Sequence, residues 1–118
     1  MNKFFKGFYY AWKGLKYTFR TQLNFRVQLL AALLVSMLSY YLKISTTEWL
    51  WILAAIALVL LAELVNTAIE TLVDLVSPVF NARAGIVKDI SAAFVLIASV
   101  VALFIGILIL LPKLIDAS

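Results

Sequence analysis

The chain contains no cysteine and no histidine among its 118 residues. Without cysteine, it has no disulfide framework and no thiolate metal site. Without histidine, it lacks the usual general base and the most common zinc ligand. Any acid–base or metal chemistry must therefore use carboxylates, which favour hard cations such as Mg²⁺.

Glycine is also scarce, and the four glycines are scattered along the chain. No Walker A loop, kinase glycine-rich loop or dinucleotide-binding fingerprint can be drawn through them. The formal net charge is only +4 and is explained by membrane topology, so it does not indicate a nucleic-acid partner.

Apolar residues, by contrast, are abundant. They make up 65% of the chain, and the mean hydropathy is +1.07, whereas soluble domains are about 45–50% apolar. Too little polar surface remains to cover a soluble globule. The sequence therefore predicts an integral membrane protein with a single domain, residues 1–118.

The first 22 residues alternate between apolar and basic positions at a helical period. The apolar positions are Phe4, Phe8, Trp12, Leu15 and Phe19, and the basic ones are Lys3, Lys6, Lys13, Lys16 and Arg20. This pattern predicts an amphipathic helix at the membrane interface. A signal peptide is the alternative, but neither a continuous apolar region nor a small-residue cleavage site follows.

Three apolar segments come next, at residues 26–43, 49–76 and 89–111. A hydrocarbon core of ~30 Å takes about 20 helical residues, so we predict an all-α membrane protein with three transmembrane helices. Thr46 or Thr47 is the expected N-cap of the second helix. Pro78 should end that helix, a loop should cover residues 79–87, and Pro112 should stop the third helix.

Basic residues are distributed unevenly between the loops. Six precede the first span, the last of them being Arg26, and Arg83 and Lys88 lie in the second loop. Lys43 and Lys113 stand alone in the first loop and the tail. The positive-inside rule therefore places the N-terminus in the cytoplasm and the C-terminus outside.

Four polar residues interrupt the second apolar segment. Glu63, Asn66, Glu70 and Asp74 have the spacing i, i+3, i+7, i+11 and so share one stripe of a helix. Ionisable groups at this depth are costly and indicate a functional site. Glu63 has apolar neighbours, which suits a general base; the alternative is a protonated carboxyl that hydrogen-bonds to a neighbouring helix.

The remaining polar residues of the stripe have two interpretations each. A carboxylate at Glu70 and an amide at Asn66 form a reasonable partial shell for Mg²⁺, although Asn66 could instead join two helices by a hydrogen bond. Asp74 could pair with Arg83 or Lys88.

Lys88 lies at the start of the third span. At a helix N-terminus it could bind phosphate, or its charge could simply set the membrane topology.

The same motifs carry a family resemblance. Residues 63–74 read ELVNTAIETLVD, residues 11–15 AWKGL, residues 24–26 NFR, residues 87–89 VKD and residues 91–93 SAA. Together they resemble the prokaryotic diacylglycerol kinase family, small trimeric integral-membrane lipid kinases that include undecaprenol kinases. The resemblance implies ATP-dependent phosphorylation of a lipid alcohol in the bacterial inner membrane, by a homotrimer with shared active sites.

The resemblance also implies residue roles. Glu63 would be the general base, and Glu70 and Gln22 would bind Mg²⁺, with Asp74 in support. The implied nucleotide-binding residues are Lys3, Tyr10, Asn66, Phe80, Asn81, Lys88 and Asp89, and the implied lipid-binding residues are Trp12 and Ala92. Asp89 is also the expected N-cap of the third helix.

Three positions depart from the family pattern. Gln22 stands where a glutamate is usual, so a ligand charge is missing; Asn81 replaces a frequent histidine; and Gln28 does not match the diacylglycerol-specific pattern. The mismatch at Gln28 favours undecaprenol as the substrate, with diacylglycerol as the alternative. Two other classes explain the acidic stripe alone: a small oligomeric ion or proton channel, and a non-enzymatic subunit of a membrane assembly.

Overall fold

The structure is a computed structural model that describes residues 2–118 and consists of four helices. They are α1 (Lys3–Thr21), α2 (Leu23–Tyr41), α3 (Thr46–Val76) and α4 (Ala82–Ala117). Within residues 2–118 there is no strand. The last three helices are long and apolar enough to cross a membrane, so the all-α membrane architecture is confirmed.

Helix α1 is capped at both ends. The Asn2 side chain accepts a hydrogen bond from the backbone N–H of Phe4 at 2.8 Å, which satisfies one of the free N–H groups of the first turn. At the other end, Arg26 Nη1 donates to the backbone carbonyls of Phe19 and Arg20, at 2.7 and 3.1 Å. A cation there complements the negative end of the helix dipole, so Arg26 joins α1 to α2.

Helix α3 begins at Thr46, before the predicted start of the second span at residue 49. Its N-cap is Ser45, whose side chain accepts from the backbone N–H of Glu48 while the Glu48 side chain accepts from Ser45. This reciprocal capping box excludes Thr46 and Thr47 as the cap. The helix ends at Val76, directly before Ser77 and Pro78, as predicted.

Helix α4 begins earlier and ends later than predicted. Asn81 accepts from the backbone N–H groups of Arg83 and Ala84 at 2.9 and 3.4 Å, so Asn81 is the N-cap and the predicted cap at Asp89 is wrong. The predicted loop at residues 79–87 is therefore too long by about one and a half turns of helix.

The predicted stop at Pro112 is also wrong, because α4 continues to Ala117. Proline removes one N–H group and disturbs the preceding turn, but transmembrane helices tolerate it because neighbouring helices and local changes in hydrogen bonding satisfy the freed backbone groups. Lys113 Nζ lies 3.2 Å from Glu48 Oε1, and this contact fastens the turn after the proline to the start of α3.

The packing is built on an antiparallel pair formed by α3 and α4, which contact each other more extensively than any other two helices. At one end, the buried apolar residues Ile44, Ile52 and Leu110 form the core. At the other end, most of the buried side chains are polar: Glu63, Asn66, Thr67 and Ser91, with Ala62 beside them. The fold thus separates an apolar end from a polar one.

Candidate active site

Glu63 is the most deeply buried ionisable residue, with only 1% of its surface exposed. Its Oε2 lies 3.5 Å from Asn66 Nδ2, at the limit of a hydrogen bond. The side chain of Asn24, at the start of α2, also lies beside this carboxyl. Oε1 is buried without a hydrogen-bond partner. Buried acceptors normally have a partner. Because this oxygen has none, it is free to receive a proton or a donor from a ligand.

Asn66 connects the two acids of the buried stripe to α4. Its Nδ2 donates to Glu70 Oε1 at 2.9 Å, and its Oδ1 accepts from Ser91 Oγ at 2.7 Å. The predicted interhelical hydrogen bond of Asn66 is therefore confirmed. The amide oxygen is the atom of Asn66 that could bind a cation, and it is already engaged by Ser91. Asn66 therefore turns its nitrogen, a hydrogen-bond donor, towards the carboxylates.

Sequence reasoning did not single out Ser91. The residue appeared only within the SAA motif. The small residues Ala98, Ala102 and Gly106 mark a close-packing face of α4, and Ser91 lies on the same face, seven residues before Ala98. The other available signal was its polarity within an otherwise apolar stretch. Polar side chains at such positions commonly bond across helices.

Asp74 and Lys88 form an ion pair at the end of the stripe. Lys88 Nζ lies 2.6 Å from Asp74 Oδ1, and both side chains are partly exposed, at 41% and 65% respectively. The pairing proposed for Asp74 is confirmed. Lys88 lies well inside α4 rather than at its N-terminus, so the helix dipole gives it no help in binding phosphate, and its own charge must suffice.

The other predicted nucleotide and lipid residues are solvent- or lipid-exposed and lie apart from this network. Asp89, Ala92, Phe80 and Asn81 are exposed near the start of α4, and Lys3, Tyr10 and Trp12 are exposed along α1. Phe80 is 92% exposed. Lys13 Nζ lies 5.9 Å from the centre of the Tyr10 ring. The hydrogen bonds of the stripe thus involve residues of α3 and α4 only.

The donor set for a metal ion is small. Among residues 2–118, no three acidic side chains converge to form a cage, and Gln22 donates from Nε2 to the neighbouring Thr21 Oγ1 at 3.3 Å. Glu70 is half-buried and offers one carboxylate. Mg²⁺ is usually held by one or two carboxylates together with water and substrate phosphates, so these donors fit Mg²⁺ shared with a nucleotide.

An apolar groove of about 660 Å³ runs between α2, α3 and α4. It is lined almost wholly by aliphatic side chains, and Gln28 is the largest polar group on its wall. Gln28 Oε1 is buried without a hydrogen-bond partner. On α2, Gln28 lies one turn after Asn24, which contacts Glu63, so the groove approaches the buried acid at this end.

The chain resembles known proteins over most of its length. Residues 9–110 match the family model described as prokaryotic diacylglycerol kinase. The chain belongs to this family. It is accordingly a lipid kinase of the diacylglycerol and undecaprenol kinase type and a bacterial membrane protein, which uses ATP and a lipid substrate. Membership of this family argues against the two alternative classes, a small ion or proton channel and a non-enzymatic subunit of a membrane assembly.

Individual relatives are of two kinds. The chain is 39% identical to an undecaprenol kinase of Bacillus subtilis, covering 97% of this chain and 93% of that protein. It is 37% identical to a diacylglycerol kinase of Synechocystis sp., covering 92% of this chain but only 63% of that protein. It is 32% identical to a diacylglycerol kinase of Escherichia coli, covering 79% of this chain and 76% of that protein.

Proposed function

We propose that this lipid kinase phosphorylates undecaprenol, with ATP as donor and Mg²⁺ as cofactor. The observation that carries the proposal is the buried Glu63, one of whose oxygens has no partner, one turn of α3 after Leu60, a residue that lines the apolar groove. A lipid alcohol lying in the groove would bring its hydroxyl to this carboxyl from within the bilayer.

Each of these residues would have its own role in the reaction. Glu63 would accept the proton of the lipid hydroxyl through Oε1, as general base, while Asn66 steadies Oε2. Lys88 would bind the phosphates of the nucleotide as a point charge. Glu70 and Gln22 would hold Mg²⁺, which when bound offsets the negative charge of the triphosphate.

The shape and lining of the groove support a lipid with a long apolar chain. Its wall is almost entirely aliphatic, and the residues of α4 that line it extend from Ser99 to Leu114, about 22 Å by helical rise. Such a groove suits an extended apolar chain, polyprenyl or acyl. The similarity to the B. subtilis undecaprenol kinase over 97% of the chain supports undecaprenol as the substrate, with diacylglycerol as the alternative.

A homotrimer with shared active sites is also part of the proposal. Tyr10 and Lys3 of α1 are exposed and make no hydrogen bond to the stripe, so a nucleotide site that includes them is better completed by α1 of another copy. The surplus of basic residues before Arg26 supports a cytoplasmic N-terminus, with the C-terminus outside. Asp74 and Lys88 would then face the cytosol, where ATP is.

Radiolabelled ATP with undecaprenol or diacylglycerol in mixed micelles tests the function. Glu63→Gln keeps the size of the side chain but removes the base, and it should lower lipid phosphorylation at least a hundredfold. Glu48→Gln is the matched control, because it makes the same change on the same helix at the opposite end, and it should retain turnover. Equal turnover by the wild type and Glu63→Gln would refute the role of Glu63, and faster turnover of diacylglycerol would refute the choice of undecaprenol.

A further inference from the structure

Ser91 differs from the other buried hydroxyl residues in where its hydrogen bond goes. Thr18, Ser39 and Thr67 each donate to the backbone carbonyl four residues earlier on their own helix, at 2.7–2.9 Å. This local bond is the usual behaviour of Ser and Thr within helices. Ser91, only 4% exposed, instead donates across the helix interface to Asn66 Oδ1 at 2.7 Å.

The Ser91 bond anchors the Asn66 amide in its observed orientation. With Oδ1 engaged by the Ser91 hydroxyl, Nδ2 faces Glu70 Oε1 at 2.9 Å and Glu63 Oε2 at 3.5 Å. The reverse orientation would place the amide oxygen against both carboxyl groups. A hydroxyl can donate or accept, whereas carboxylates only accept, so the two carboxyl groups select the observed orientation and Ser91 supplies the partner that the buried amide oxygen needs in it.

We propose that Ser91 is a positioning residue of the kinase, acting through Asn66. Its hydroxyl holds the amide so that one N–H group donates to Glu70 and the other points towards Glu63. This arrangement holds the two acids at a fixed separation and leaves Glu63 Oε1 as the free oxygen of the pair. Ser91 itself contacts neither reactant. The kinetic consequence depends on the proposed function, whereas the orientation of Asn66 does not.

The orientation can be measured without any substrate. The chain has four asparagines, so ¹⁵N-asparagine labelling in micelles gives four side-chain amide signals, and that of Asn66 is assigned by its loss in Asn66→Asp. In the wild type, its two protons should be well separated and slow to exchange. Ser91→Ala should bring them towards the values of exposed asparagines, and Ser91→Thr should restore them.

Ser39→Ala is the matched control, because Ser39 is equally buried but bonds only within its own helix. It should leave the Asn66 signals unchanged. If Ser91→Ala also leaves them unchanged, Ser91 does not orient Asn66 and the proposal is wrong. If Ser39→Ala alters them as much as Ser91→Ala does, the effect is general loosening, and the proposal is equally wrong.

Steady-state kinetics supply the second measurement. Ser91→Ala should lower kcat about tenfold, the usual effect of losing one hydrogen bond in a network, while KM for ATP changes less than twofold. Ser91→Thr should recover most of kcat. A rise in KM with unchanged kcat would contradict positioning of the base. Failure of the wild type to phosphorylate any lipid would overturn the proposed function alone, since the amide signals would still decide the role of Ser91.

Discussion

Lys88 Nζ lies 2.6 Å from Asp74 Oδ1, although the two residues are 14 positions apart and belong to different helices. The pair joins the end of α3 to the beginning of α4 beside the acidic stripe. Because both side chains are partly exposed, solvent screens their attraction and the pair adds little stability. Lys88 is therefore available to exchange its carboxylate partner for a phosphate.

This exchange leads to a prediction for two variants. Lys88→Ala should raise KM for ATP at least tenfold, because a charge-assisted bond to phosphate is lost, whereas Asp74→Asn should change it less. Both variants break the ion pair, but only the first removes the phosphate ligand. Equal effects of the two substitutions on KM would mean that Lys88 serves only as a partner of Asp74.

The metal requirement should depend on Glu70 and on residue 22. Glu70→Ala should raise the Mg²⁺ concentration for half-maximal turnover several-fold, because the half-buried carboxylate is lost. Gln22→Glu should lower that concentration, because it adds a carboxylate charge at the proposed metal site. Turnover measured across a Mg²⁺ series checks both variants. An unchanged Mg²⁺ dependence in Glu70→Ala would count against its role as a ligand.

Arg26 should control how firmly α1 is held against the rest of the protein. Arg26→Ala removes the donor to the carbonyls of Phe19 and Arg20, at a cost of roughly 1 kcal/mol. Hydrogen exchange should then speed up at the C-terminal turn of α1. Arg20→Ala removes the same charge from the same segment but keeps the cap, so similar exchange in both variants would show that charge, and not capping, is responsible.

Pro112 should be replaceable without loss of activity. Pro112→Ala returns an N–H group to the C-terminal part of α4, which should raise the melting temperature, since proline is the residue least compatible with a helix interior. Turnover should stay within a factor of two, because Pro112 is far along α4 from Lys88. A lower melting temperature would show that the packing around α4 requires the bend or gap that proline introduces.

The polar stripe could be predicted from spacing alone. Helical periodicity determines that Glu63, Asn66 and Glu70 share a face, and the structure joins them by hydrogen bonds. The partner of that face was not predicted, although Ala98 and Ala102 mark a close-packing face of α4 and Ser91 lies on that face, seven residues before Ala98.

Helix ends were predicted less well, for identifiable physical reasons. Asn81 is a strong N-cap residue, but the charged pair at Lys88 and Asp89 suggested a later start. Pro112 was given the helix-ending role that it has in water, where freed backbone groups are solvated. Ser45 was passed over in favour of the neighbouring threonines, although Glu48 three residues later completes its capping box.

The small number of apolar side chains buried within one chain, such as Ile52 and Ala62, has a practical consequence. Most of the van der Waals contacts of the folded protein must come from its surroundings, whether acyl chains, detergent or other copies. Changing the bilayer or detergent therefore alters the packing of this kinase much as a core mutation alters that of a water-soluble enzyme. Melting temperatures and rates of its variants are comparable only when measured in the same lipid or detergent.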